Sequence, residues 1–234
     1  MTLFSVRNVR KTYRVGTVET HALRGVNLEV SRGEFTAIAG PSGSGKSTLL
    51  HLMGVLDRPS DGAVVLAGER IDRLPRAAAA RLRLARLGFV FQAYNLIPVM
   101  TALENAAFVL ELQGVPRRER EARAREALGL LGMDGLEGRM PNQLSGGQQQ
   151  RVAVARAIAS GPDIVLADEP TANLDSATGQ ALIDLMRRLN EEQGVTFVFS
   201  THDPRLLSHV RRTVRLEDGR VVDDEHADAG QGDA

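Results

Sequence analysis

The residues of this chain whose types and spacing can do chemistry begin with Gly40-Pro41-Ser42-Gly43-Ser44-Gly45-Lys46-Ser47-Thr48. Its glycines let the backbone curl so that successive N–H groups point inward. Lys46 can then reach the outer phosphates of a nucleotide, and the Ser47 hydroxyl can ligate Mg²⁺. The apolar run Phe35 to Ala39 precedes this stretch and Leu49-Leu50-His51-Leu52-Met53 follows it. A strand, a glycine loop and a helix start form the context in which GxxxxGK[ST] binds phosphate at the positive end of a helix dipole. A flexible Gly/Ser linker lacks such flanks. These residues point to a nucleoside triphosphate.

A second set lies downstream. Ile164-Val165-Leu166-Ala167-Asp168-Glu169 is an apolar strand ending in adjacent carboxylates. Asp168 can hold Mg²⁺ through water, and Glu169 can polarise an attacking water as general base. The run Val195 to Ser200 reads as a further strand, and Thr201-His202-Asp203 follows it. Open α/β sheets bind ligands beyond the carboxyl ends of their strands, so His202 can hydrogen-bond a terminal phosphate. Leu144-Ser145-Gly146-Gly147-Gln148 opens a helix of small residues and offers another anion-facing N-terminus.

Elements must position these groups. Leu3 to Val9 and Val26 to Val30 alternate apolar and polar residues as strands do, with 15–23 read as the hairpin loop between them. Tyr13, one of only two tyrosines, offers a ring on which a nucleotide base can stack. Lys46 to Leu56 has one apolar helical face, and Arg58-Pro59-Ser60-Asp61-Gly62 stops it. Ala63 to Ala67 and Leu87 to Phe91 are strands flanking a helix from about Pro75 to Leu87. The arginines of that helix suit a solvated face better than a nucleic-acid patch, given Ala77 to Ala80 and the leucines. From about 97 to 160 the pattern is helical. Thr101 with Glu104 forms a capping box, Pro116 falls at N1 of the next helix, and Glu119/Arg123 and Glu121/Arg125 are i,i+4 pairs. This block reads as a helical subdomain inserted into the sheet-bearing core. A loop at 171–175 leads to a helix from about Ser176 to Gln193.

Bulk properties narrow the class. The 234 residues suit one large domain, and Lys+Arg and Asp+Glu both number 29, so no global basic field marks nucleic acid as a partner. The absence of cysteine excludes disulfides and thiolate metal sites. No apolar run reaches the ~20 residues of a membrane span, nor is there a signal-peptide core, so the chain is expected in the cytosol.

Taken together, Tyr13, Gly40 to Thr48, Gln92, Leu144 to Gln148, Ile164 to Glu169, Asn173-Leu174-Asp175 and His202 resemble, in order, the A-loop, Walker A, Q-loop, signature, Walker B, D-loop and H-loop of an ABC-type ATPase. No departure from the pattern is seen at these positions, and the resemblance runs from about residue 3 to 222. It implies an α/β fold: a P-loop NTPase core with an N-terminal antiparallel β-subdomain and an inserted α-helical signature subdomain. It also implies ATP and Mg²⁺, and a head-to-tail homodimer with two ATP at the interface, each between one Walker A and the other copy's Ser145 to Gly147. By that likeness Gln92 contacts Mg²⁺ or the attacking water, His202 acts with Glu169, and Asp175 links the two sites.

A finer likeness lies in Gly88-Phe89-Val90-Phe91-Gln92-Ala93-Tyr94-Asn95-Leu96-Ile97-Pro98, Thr101 to Asn105, Val15-Gly16-Thr17 and His21 to Val26. These resemble the ATPases of the lipoprotein-releasing and macrolide-exporting group, which drive membrane permeases. The implied partner is a permease at the cytoplasmic face of the membrane, docked through Tyr94 to Val99. A cell-division or envelope-remodelling transducer shares every motif. A soluble ABC ATPase of DNA or ribosomes fits less well, since one core without heptads or cysteines is present. Residues 223–234, acidic with Gly and Ala, read as a disordered tail beyond a single domain over 1–222.

Overall fold

The computed structural model describes residues 1–226. Strands β1 (Thr2–Val15) and β2 (Val18–Ser31) form an antiparallel hairpin, and β3 (Phe35–Ala39) runs into the glycine loop and α1 (Lys46–Met53). Strands β4 (Asp61–Leu66) and β5 (Glu69–Arg70), helix α2 (Arg76–Arg86) and strand β6 (Leu87–Val90) come next. The helical block holds α3 (Ala102–Leu112), α4 (Arg117–Leu130), a 3₁₀ turn at Pro141–Gln143 and α5 (Gly146–Ile158). Then come β7 (Ile164–Asp168), α6 (Ser176–Gln193), β8 (Phe197–Thr201), α7 (Pro204–Leu207), β9 (Arg212–Glu217) and β10 (Arg220–His226).

Two sheets result. One is antiparallel, in the order β2-β1-β4-β5, and the other has the order β10-β9-β3-β8-β7-β6. Within the second, β9, β3, β8, β7 and β6 run parallel, and β10 alone is antiparallel to its neighbour. Every residue of β3 and β8 is buried, which is why apolar residues dominate both strands in place of a polar alternation. Phe35 packs edge-on against Phe197 and Phe199, with ring centroids 5.7 and 4.7 Å apart, on the sheet face covered by α3 to α6. The other face, with Ile38, Leu166 and Val198, packs on α1 and the antiparallel sheet. Each such side chain contributes roughly 1.5–3 kcal/mol on burial.

The parallel register positions the chemistry. Ala39 pairs with Thr201, and Asp168 with Ser200, so the carboxyl ends of β3, β7 and β8 lie side by side. The glycine loop, the Asp168-Glu169 pair and His202 leave the sheet together at the carboxyl ends of its strands.

Three sequence expectations need correcting. Strand pairing continues through 15–23, leaving a turn only at Gly16-Thr17, because Arg10 to Val15 find partners in Val18 to Arg24. Pro116 is the N-cap and not N1: its ψ of 144° is extended, so Arg117 begins the helix. The acidic tail does not begin at Asp223, since Asp223, Asp224 and Glu225 pair with β9. Arg212 holds Asp224 with two bonds of 2.7 Å, which supplies the counter-charge that composition alone could not assign. The remainder of the expected tail, 227–234, lies outside the described residues.

Candidate functional site

A cavity of about 550 Å³ opens beyond the carboxyl ends of the parallel strands, lined by Pro41, Ser42, Gly43, Gly45, Lys46, Ser47, Thr48, Gln92, Glu169 and His202, with Thr20, His21 and Ala22 of β2. The loop fits there because Gly45 takes φ 106°, a left-handed conformation costly for any residue with a Cβ. A Cβ at Gly45 would also stand 2.6 Å from the carbonyl oxygen of Ala22.

Lys46 is buried, and its ammonium donates to the carbonyls of Gly40 and Pro41 at 2.8 and 2.9 Å. Among the described residues it enters no salt bridge. The Ser47 hydroxyl donates to Asp168 Oδ1 at 3.0 Å. Glu169 has φ 45°, a strained left-handed backbone in a non-glycine residue, held by its N–H donating to Ser200 O at 2.8 Å. Its Oε1 lies 2.7 Å from His202 Nδ1, and its Oε2 accepts from Thr201 Oγ1 at 3.3 Å. Gln92 lines the cavity while its main-chain oxygen accepts from Asn173 Nδ2 at 2.8 Å.

Tyr13 stands apart on β1. Its hydroxyl donates to Asp57 Oδ2 at 3.1 Å, and the Lys11 ammonium sits 4.8 Å from its ring centroid. Partial burial, with Asp57 alongside, pushes the phenol above its usual range, so it stays neutral. Burial alone would raise the Asp57 carboxyl, but hydrogen bonds from Lys11 and the Arg58 N–H outweigh it and hold it low. The role of Asp57 was not legible in the sequence, where it is one more turn residue.

Ser145 to Gln148 do not line this cavity. Ser145 caps α5: its hydroxyl oxygen accepts from Gln148 N at 3.3 Å, and Gln148 Oε1 accepts from Ser145 N at 2.9 Å. Among the described residues the Ser145 O–H donates to no partner. Asp175 likewise caps α6, accepting from Thr178 N at 3.0 Å. Gln150, unremarked in the sequence, is fully buried and donates to Pro170 O at 2.8 Å, tying α5 to the residue after Glu169.

A separate apolar groove of about 580 Å³ lies between α2 and α3, with Phe89, Phe91, Ile97, Phe108, Val109 and Leu112 on its walls. Arg83 and Arg156 also line it, donating to main-chain carbonyls of Val55, Tyr94 and Asn95. Of the Tyr94 to Val99 segment, Asn95 and Ile97 reach the groove, whereas Val99 is 81% exposed beyond it. Among the described residues, no helix is long and apolar enough to cross a membrane.

Known proteins resemble this chain over most of its length. The family model described as ABC transporter matches residues 23–172. The lipoprotein-releasing system ATP-binding protein LolD of Geobacter metallireducens is 48% identical over 222 residues, covering 95% of this chain and 99% of that protein. The macrolide export ATP-binding/permease protein MacB of Syntrophobacter fumaroxidans is 44% identical over 98% of this chain, which spans 32% of that longer protein. Among solved structures, the dimeric post-hydrolysis ATP-binding cassette of Methanocaldococcus jannaschii, bound to ADP and Pi, superposes with a TM-score of 0.87. That match has 44% identity and covers 96% of this chain and 98% of the other.

Proposed function

The chain belongs to the ABC transporter family, and from that we propose that it is the ATP-hydrolysing, energy-coupling subunit of a membrane transporter, closing head to tail with a second copy around two ATP and driving a permease. The observation that carries the reading is the buried Lys46 ammonium, which among the described residues bonds two carbonyls and no carboxylate, and stands in the same cavity as the Glu169–His202 pair. A buried cation without a counter-charge calls for an anionic ligand, and a triphosphate supplies it.

Mg²⁺ suits the remaining donors. Ser47 and Asp168 offer two hard oxygens, and no protein cluster of three or more acidic, His or Cys ligands exists among the described residues. Ser47 and Asp168 would hold the ion in part, and it would supply positive charge beside the phosphates when bound. Gln92 is the further candidate ligand.

In this reading Lys46 and the loop N–H groups bind and orient the phosphates. Tyr13 carries the base, its ring held by Asp57 and Lys11. Glu169 takes the proton of the attacking water, and His202 fixes the carboxylate and contacts the terminal phosphate. One copy leaves that phosphate open on the side away from Lys46. Ser145 to Gly147 of the second copy, presenting the N-terminus of α5, complete the enclosure, with Gln148 closing the cap and Asp175 at the seam.

The permease is the partner of the α2–α3 groove, through an apolar helix of its cytoplasmic face. The chain then resides peripherally at that face of the membrane. The names of the LolD and MacB relatives, one a subunit and one fused to its permease, support this assignment. Purifying tagged Glu169→Gln protein with ATP from detergent-solubilised host membranes tests it. Recovery of a permease is the expected result, and recovery only with ribosomes or DNA-bound proteins contradicts it.

A further inference from the structure

Asp203, the residue after His202, joins three elements. Its N–H donates to Thr201 Oγ1 at 3.0 Å, and that same hydroxyl donates to Glu169 Oε2 at 3.3 Å. Its carboxylate accepts from Thr171 Oγ1 at 2.6 Å, from Arg205 Nε at 3.0 Å and from Arg205 Nη2 at 2.7 Å. Arg205 is therefore pinned by a two-pronged charge-assisted contact whose other end reaches the Glu169 side chain through one hydroxyl.

The free edge of Arg205 turns to α6. Nη1 donates to the carbonyl of Asp175 at 3.4 Å, and the guanidinium lies over Gly179, where a Cβ would stand 2.8 Å from Nη1. A glycine inside a helix costs about 1 kcal/mol relative to alanine, and the space it leaves here is filled by the guanidinium. Next to it, Thr178 packs toward α5: a Cβ on Gly147 would collide with Thr178 Cγ2. The first turn of α6 is thus wedged between Arg205 and the glycine turn that opens α5.

We infer that Arg205 is a positioning residue that couples the Glu169–His202 pair to the Ser145–Gly147 turn of the same chain through the first turn of α6. The inference rests on the cassette reading, in which those two groups face different nucleotides of the dimer. It supplies an intrachain route, through packed contacts, by which the state of one site biases the other. Rigid contacts suit this role, because a pinned guanidinium cannot absorb a shift of the strand end by changing rotamer.

The test compares Arg205→Met, which keeps the stem and removes the guanidinium, with Gly179→Ala, which evicts it, and with the two combined, all in the full chain. Readouts are kcat, KM, the Hill coefficient for ATP, binding of a fluorescent ATP analogue to the monomer, and stability. Each single change is expected to lower kcat about tenfold and bring the Hill coefficient toward one. Monomer affinity and KM should stay within about twofold, since no nucleotide contact is removed. The double variant should be no worse than Arg205→Met alone, because the guanidinium that Gly179→Ala displaces is already gone. Gly179→Ala improves helix propensity, so its loss of kcat cannot be charged to a weaker helix. Full kcat in Gly179→Ala, or losses that multiply in the double variant, would overturn the inference. If the parental chain neither hydrolyses ATP nor binds the analogue, the cassette reading fails first, and that result is read before any variant.

Discussion

His202 Nδ1 lies 2.7 Å from Glu169 Oε1, although the two residues leave different strands and stand 33 positions apart. Parallel pairing of β7 with β8 brings their strand ends together, and the left-handed backbone of Glu169 accompanies its side chain's contacts with His202 and Thr201. A strained residue held by its neighbours is characteristic of a working site. The two contacts fix the direction of the carboxylate, as the proposed role of general base requires.

Glu169 is the proposed base, and replacing it is the most direct substitution. Glu169→Gln keeps the shape of the side chain and its contact with His202 but removes the proton acceptor. Steady-state hydrolysis should fall by at least about 100-fold, with ATP still bound. A phosphate-release assay at saturating ATP checks this, and a parental rate would remove Glu169 from the role.

Gly45→Ala probes the loop. The substitution forces a Cβ into φ 106° and to 2.6 Å from the Ala22 carbonyl, a backbone atom that cannot swing aside. It should cost about 1–3 kcal/mol of stability and at least about tenfold in nucleotide affinity. Urea unfolding and titration with a fluorescent ATP analogue report the two effects separately.

Much of this geometry was legible in the sequence because loops and caps are local. The glycine loop, the Thr101 capping box, the helix start at Ser145 and the ends of β7 and β8 depend on residues within a few positions of each other. What escaped depends on distant strands meeting. Asp57 meets Lys11 and Tyr13 from 46 and 44 residues away, and Asp203 meets Thr171 from 32. The acidic residues 223–225 read as solvated because their pairing with β9, and the bond from Arg212 to Asp224, are invisible to composition. Asp175 reads by likeness as an interface residue, and in one chain it is also the N-cap of α6, a role its position before Ser176 allows.

Acid stability follows from Asp203. Burial would raise its carboxyl, but hydrogen bonds from Arg205 and Thr171 outweigh that and hold it at about 2, below its ordinary 3.8. A depressed folded value contributes stability that is present above the unfolded value and lost as pH falls from 3.8 through about 2. Asp203→Asn should therefore lower stability by about 2 kcal/mol at neutral pH. Its gap from the parental chain should narrow once the medium drops to about pH 3 or lower. Denaturant unfolding at both pH values checks the sign.

Leu112 is 57% exposed on the wall of the apolar groove. Leu112→Glu places a carboxylate where an apolar permease helix would bury it. Recovery of the permease with the tagged chain should drop at least about tenfold, while stability stays within about 0.5 kcal/mol of the parent. Quantitative mass spectrometry of the recovered complex, beside a melting curve, provides both readings.

The central claim is that two copies enclose two ATP, each copy completing the other's site. The most direct measurement is sedimentation equilibrium of purified Glu169→Gln protein with ATP, with ADP and without nucleotide, with bound ATP counted in the sedimenting species. The account predicts a monomer with ADP or no nucleotide, and with ATP a species of twice the mass holding one ATP per chain. A monomer that stays monomeric while saturated with ATP would contradict it.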